Sequence, residues 1–197
     1  MSDMKDNLDL EKCLQEAKDF HGEICGGINM GTRMAIQGMR AIGINDPKGE
    51  DKKNLLVFVE IDRCPADAII AVTGCHPGKR TMKIVDYGKM AATFVNLKTN
   101  RAVRVSSKNR QGDVIKNREM IENEPMKEDF SVLPDDELFT VTEVSVSLNP
   151  CDLPGRPVRS VPCVSCGERV LDMKDVEIEG KFYCRPCAEK KNYYTGL

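Results

Sequence analysis

The apolar residues near the start of the chain recur with helical spacing. Over residues 8–20, Leu10, Leu14 and Ala17 fall at positions i, i+4 and i+7, which places them on one face of a helix. Gly22 follows, and glycine is the common residue just beyond a helix end. The pattern therefore predicts a first helix that buries one face.

A second helix is predicted over residues 24–42, again with apolar positions on one side and with Gly43 as its stop. Gly26, Gly27 and Gly31 lie close together at its start. Each costs about 1 kcal/mol relative to Ala inside a helix. Three such residues predict that another part of the chain packs closely against this backbone.

The pattern then changes to strands. Asn54–Ile61 is an apolar run rich in β-forming residues and predicts a buried strand. A helix is predicted to begin at Cys64-Pro65, since proline is tolerated in the first turn, and to continue through Val72. Residues 112–129 are polar and predicted to be helical in part. Further strands are predicted over residues 81–86, 90–96, 102–106 and 138–148. About five strands and three or four helices in mixed order predict an α+β protein with a mixed sheet flanked by helices.

Proline marks a boundary late in the chain. Four of the ten prolines fall within residues 149–162, as is typical of a linker. We predict a core domain over residues 1–150, a linker over 151–162 and a separate module over 163–197.

The terminal module carries the strongest motif. Cys163 and Cys166 form one C-x2-C pair, Cys184 and Cys187 form another, and 17 residues separate the pairs. Four thiolates at this spacing close a tetrahedron around Zn²⁺ and leave no open position, which predicts a structural zinc site. A knuckle turn at Gly167, a hairpin and a short helix predict a treble-clef finger.

Composition and charge narrow the function. The net charge is −2, and aromatic residues make up 5% of the chain with no Trp. A nucleic-acid reader needs a basic face or stacking platforms, so we expect none here. There is no apolar run near the ~20 residues that cross a bilayer, and the polar, acidic start does not resemble a signal peptide. We therefore predict a cytoplasmic protein without a membrane role.

A second constellation lies in the predicted core. His21 stands four residues before Cys25, and both Cys25 and Cys64 precede predicted helices, where a helix N-terminus lowers a thiol pKa. Cys75 lies in a glycine-flanked loop beside His76. The spacing favours a functional His21, Cys25, Cys64 and Cys75 pocket over ordinary core cysteines, whereas Cys13 is predicted to be a plain core residue.

Three kinds of chemistry remain open for this pocket. One is an open metal site that uses His21, Cys25 and Cys64. Another is a thiol–disulfide pair, such as Cys64 with Cys75. The third is an anion or cofactor pocket lined by the helix start at Cys25 and by the loop residues Gly74, His76 and Lys79.

Four ordered motifs resemble the FmdE family, named for the E component of formylmethanofuran dehydrogenase. They are Phe20–Gly27 (FHGEICGG), Cys64–Ile69 (CPADAI), Thr73–Lys79 (TGCHPGK) and Asp86–Ala91 (DYGKMA). The resemblance covers most of residues 10–150, and the terminal module is similar to the extra treble clef that some members carry. Glu23 stands where the family usually has a His, and could replace it as an oxygen ligand.

The resemblance implies an α+β core, often compared with thioredoxin-like folds, that forms homodimers. It implies a role beside a molybdenum or tungsten enzyme that interconverts CO₂ and formylmethanofuran. Our leading hypothesis is a metal-binding accessory protein with a structural zinc, a possible second metal in the core, and partner subunits of such an enzyme. Two alternatives are a free-standing thiol oxidoreductase and a zinc-finger adaptor with an inert core.

Overall fold

The computed structural model describes residues 7–108 and 132–195. The chain divides into two compact units, Met1–Val146 and Ser147–Leu197. The helix predicted within residues 112–129 lies outside the described residues. Among the helices that are described, none is both long enough and apolar enough to span a bilayer.

Three helices in the first unit follow the predicted pattern. They are α1 (Leu10–His21), α2 (Gly26–Ala41) and α3 (Cys64–Thr73). The carboxylate of Asp9 caps α1 by accepting from the backbone N–H of Lys12 at 2.9 Å. Pro65 occupies the first turn of α3, and Gly74 ends α3 in the left-handed conformation at φ 67°.

A five-stranded sheet forms the other layer of the first unit. Its strands are β1 (Leu55–Val59), β2 (Met82–Ile84), β3 (Ala91–Asn96), β4 (Arg101–Ser107) and β5 (Phe139–Glu143), and a short helix α4 (Asp135–Leu138) precedes β5. The spatial order is β2-β1-β3-β4-β5. β1 and β2 are parallel and the other neighbours are antiparallel. The predicted α+β class with a mixed five-stranded sheet is confirmed.

β5 is shorter than the strand predicted over residues 138–148. Leu138 ends α4 instead of starting the strand. At the other end, Glu143 pairs with Val103 and the N–H of Val144 donates to Ala102, close to where β4 begins at Arg101. Backbone pairing therefore ends with the partner strand, which the alternation of the sequence could not indicate.

One face of the sheet packs on the helices. Alternate residues of β1, including Val57 and Val59, share a buried cluster with Phe94, Val103 and residues of all three helices. Because successive strand residues point to opposite faces, the residues between them belong to the other face. Glu60 and Arg104 have the same alternation as that second face, and their side chains pair there.

Glycines allow α2 and α3 to meet at backbone distance. A Cβ placed on Gly31 would lie 2.7 Å from Pro65 Cα, and one on Gly27 would lie 2.9 Å from the Cβ of Cys64. Neither distance is compatible with a side chain. The prediction that something packs closely against this glycine-rich start is confirmed, and the neighbour is the first turn of α3.

The second unit consists of two small hairpins and a helix. Its elements are β6 (Ser160–Pro162), β7 (Arg169–Leu171), β8 (Asp175–Ile178), β9 (Lys181–Cys184) and α5 (Arg185–Glu189). β6 pairs with β7, and β8 pairs with β9. The segment predicted as a linker, residues 151–162, therefore includes β6, and Pro150–Asp152 forms a single 3₁₀ turn.

Gly31→Ala tests the contact between α2 and α3. Alanine favours a helix by about 1 kcal/mol, but its methyl group would meet the backbone of Pro65, so the helices must separate. Overpacking of this kind costs about 1–3 kcal/mol. We expect a net loss of stability, measured as a lower denaturant midpoint. In Gly78→Ala, the matched control, the new Cβ meets its nearest neighbour at an ordinary 3.6 Å. Equal midpoints for the two variants would contradict the close contact.

Candidate metal centres

The four cysteines of the second unit converge on one point. The ligand atoms of Cys163, Cys166, Cys184 and Cys187 all lie within 4.8 Å of one another. The turn after β6 brings the first pair together, with the N–H of Gly167 donating to the carbonyl of Cys163 at 2.9 Å. Cys184 ends β9 and Cys187 lies in α5. This arrangement could hold a metal ion and is compatible with a small zinc domain.

The electrostatics of this group suit a thiolate. The N–H groups of Cys166 and Cys184 donate to the Cys163 sulfur and lower the pKa of that thiol from 9.0 to about 6. Backbone donors stabilise the charged form of the group that accepts from them. A metal-binding thiol must be deprotonated, so at neutral pH Cys163 already carries the charge that a metal ion needs.

A second group of metal-ligand side chains lies in the first unit. The ligand atoms of His21, Cys25 and Cys64 also lie within 4.8 Å of one another, and all three residues are half-buried. His21 is the last residue of α1, Cys25 is the N-cap of α2, and Cys64 is the first residue of α3. Gly22, at φ 104°, makes the corner between α1 and α2. The missing Cβ of Gly27 lets Cys64 approach Cys25.

Asp67 orients the histidine of this group. Its carboxylate lies 2.8 Å from Nδ1 of His21, so Nε2 is the nitrogen left for a metal ion. A carboxylate behind a histidine ligand fixes the tautomer and ring orientation in many metal sites. The sequence motifs did not single out Asp67. The available signal was its spacing, because Asp67 follows Cys64 by three residues and so shares a helix face with it.

The pKa of Cys64 runs against the prediction from its helix position. Burial raises the pKa above 9.0, and the neighbouring thiol of Cys25 and the charge of Asp67 raise it further. Together these effects exceed that of the helix N-terminus. Without a cation, the group therefore favours a protonated Cys64, and the expectation of a lowered pKa for this thiol is wrong.

The other predicted pocket residues lie apart from this group. Cys75 is 3% exposed in the main core, its thiol lies 3.7 Å from the carbonyl of Leu55, and burial raises its pKa. His76 is half-buried, and Gly74 forms the end of α3. Glu23 and Lys79 are exposed. Cys75, Gly74, His76, Lys79 and Glu23 are not members of either ligand group, and their functional roles stay predictions.

Both units thus present cysteine-rich ligand sets on an α+β scaffold, which defines a class of metal-binding proteins. The chain belongs to the family described as "FmdE, Molybdenum formylmethanofuran dehydrogenase operon", which matches residues 20–146. That range contains His21, Cys25, Cys64 and Asp67, so the core ligand set lies within the family's own sequence. The predicted resemblance is confirmed.

Two known proteins are similar to this chain. A "Probable S-adenosyl-L-methionine-binding protein" of Archaeoglobus fulgidus is 35% identical over 97 residues, which cover 49% of this chain and 26% of that protein. The chain therefore spans about a quarter of that relative's length. The crystal structure of an FmdE-like protein of tungsten formylmethanofuran dehydrogenase from Syntrophus aciditrophicus superposes with a TM-score of 0.58 at 20% identity, over 94% of this chain and 95% of the other. This second match supports the fold.

Thiol reactivity should separate core cysteines from site cysteines. In folded, chelator-treated protein at pH 8, we expect iodoacetamide to modify Cys25 and Cys64 at least about tenfold faster than Cys13 and Cys75. Burial leaves Cys13 and Cys75 only 1% and 3% exposed and raises the pKa of Cys13 to about 11. Peptide mapping by mass spectrometry measures each rate, and all four should react alike in urea. If Cys75 reacted as fast as Cys64, Cys75 would have to be returned to the functional pocket.

Proposed function

We propose that this protein is a metal-binding accessory protein of the FmdE type, with one metal ion at His21, Cys25 and Cys64 and a structural zinc at the four cysteines of the second unit. The observation that carries the proposal is the convergence of three ligand atoms from three different helices. Asp67 lies behind one of these ligands and makes the arrangement more specific than a chance meeting of polar side chains.

The number of ligands separates the roles of the two groups. Four thiolates complete a tetrahedral shell, as in structural zinc sites. Two thiolates and one imidazole leave a coordination position open, as in catalytic sites that bind water or substrate there. A metal ion in the core would supply Lewis-acid chemistry at that position.

The chain's own residues would control this position. Asp67 holds the proton on Nδ1 of His21 and leaves Nε2 as the ligand atom. Cys25 and Cys64 would bind as thiolates, so metal binding must release the proton that a raised pKa keeps on Cys64. Binding at this group should therefore weaken as the pH falls, because protons and the metal compete for the same sulfur.

The biological setting follows from the family. We propose that the protein acts beside a molybdenum or tungsten formylmethanofuran dehydrogenase or a related enzyme, as a homodimer in the cytoplasm. Family membership supports the association with formyl chemistry. Co-purification of such an enzyme with the tagged protein, lost in a Cys25→Ser/Cys64→Ser variant, would support a role for the core group in that partnership.

The thiol pair is a second candidate. The structure brings Cys64 next to Cys25, whereas Cys75 packs in the main core. A thiol–disulfide function would therefore use Cys25 and Cys64 and not the Cys64–Cys75 pair that the sequence suggested. A reversible disulfide that forms in protein lacking a core metal would favour this candidate.

Metal content per chain tests the proposal directly. In protein purified without oxygen or chelator, we expect elemental analysis to find two metal ions per chain. Cys25→Ser/Cys64→Ser should retain one, and Cys184→Ser/Cys187→Ser should retain the other. Cys151→Ser removes a half-buried cysteine outside both groups, and it should retain both ions. One ion in the wild type, unchanged by Cys25→Ser/Cys64→Ser, would contradict a core metal and leave the thiol or adaptor functions.

Asp67→Asn tests how the core ligands are supported. Loss of the carboxylate behind His21 should weaken metal binding by about 10- to 100-fold. Co²⁺ titration followed by its visible absorbance measures the affinity, in a Cys184→Ser/Cys187→Ser background so that only the core group reports. Asp62→Asn is the matched control, since Asp62 is an exposed residue of the connection between β1 and α3. Equal losses in the two variants would show that Asp67 has no specific part.

A further inference from the structure

A cavity of about 750 Å³ opens at the end of the sheet where β3 and β5 begin. Its volume is within the range of small-molecule sites. The lining includes Lys89, Met90, Arg104, Ser106, Lys108 and Thr140. Arg104, Ser106 and Thr140 share the face of the sheet that does not pack on the helices. Neither group of metal ligands contributes to this cavity.

The backbone at the mouth of the cavity is held in place. The carbonyl of Glu60 accepts from the N–H groups of Tyr87 and Lys89, at 2.9 and 3.0 Å. Gly88 takes a positive φ of 64°, and its N–H donates to the carboxylate of Asp86. These bonds attach the turn to the end of β1. The site for a ligand is therefore largely formed in advance.

The charges around the cavity leave a positive excess. Arg104 is neutralised by Glu60, whose carboxylate accepts from Nε and Nη2 at 2.7 Å each. Lys89 lies with its Nζ 5.7 Å from the ring centre of Tyr87, and Lys108 donates to a backbone carbonyl. Among the residues that the structure describes, no carboxylate forms an ion pair with Lys89 or Lys108. Two lysine charges are therefore available to a ligand.

We propose that this cavity binds a small molecule with a dianionic group, either a phosphate monoester or a dicarboxylate. Lys89 and Lys108 would supply the compensating charge, and the hydroxyls of Ser106 and Thr140 would donate hydrogen bonds to the anion. The Glu60–Arg104 pair keeps one wall polar without adding net charge. This inference does not depend on a metal in the core, because its residues belong to a different part of the fold.

The test uses the zinc-replete full chain and two simple probes, inorganic phosphate and malonate. In ¹H–¹⁵N NMR titrations at constant ionic strength, we expect saturable shifts confined to residues 86–91, 104–108 and 140. Lys89→Gln and Lys108→Gln should each weaken binding by about tenfold or more, as loss of a charged hydrogen bond does. Lys98→Gln, with the same charge change in the turn at the opposite end of the sheet, should bind like the wild type.

The probes also separate the two ligand classes. Binding of phosphate alone indicates a phosphate monoester, binding of malonate alone indicates a dicarboxylate, and binding of both supports a general dianion site. If neither probe bound, or if Lys98→Gln weakened binding as much as Lys89→Gln, the effect would be non-specific attraction to surface charge and the proposal would be overturned. The spectra of the variants show directly whether each is folded.

Discussion

The contact between the backbones of α2 and α3 is the constraint on which the core site depends. Gly27 and Gly31 bring the start of α3 so close to α2 that a methyl group at either position would clash with Cys64 or Pro65. The N-cap of one helix and the first residue of the other therefore lie side by side. Their thiols meet because of helix packing, and His21 reaches them because Gly22 turns the chain sharply at the end of α1.

The two ligand groups solve different physical problems. The second unit has few buried apolar residues, with Cys163 its one member of the buried apolar set among the described residues. Metal binding must therefore supply much of its folding free energy. The first unit has a continuous core of strand and helix residues that does not include His21 or Asp67. Its ligand group is thus placed on a scaffold that is already stable, and this leaves its coordination free to serve chemistry.

Much of this architecture could be predicted from local patterns. Helical spacing and β-rich runs located α1, α2, α3 and most strands, since each pattern reflects one buried face. Paired C-x2-C motifs identified the terminal ligands because short spacing alone brings two thiols together. Grouping Cys25 with Cys64 was possible from their helix positions, whereas the separation of Cys75 from them was not. That separation depends on packing 20 residues away, against the carbonyl of Leu55. The end of β5 likewise depended on the length of its partner strand.

The glycine contact has a consequence for the choice of ion. Where ligands stand on flexible loops, a site can adjust its radius to different cations. Here the spacing of the two sulfurs is set by main-chain atoms in van der Waals contact, and neither helix can approach further or retreat without losing that contact. The opening between the sulfurs has therefore a nearly fixed width. Discrimination by ionic size would then be a property of two missing methyl groups, and not of the ligands themselves.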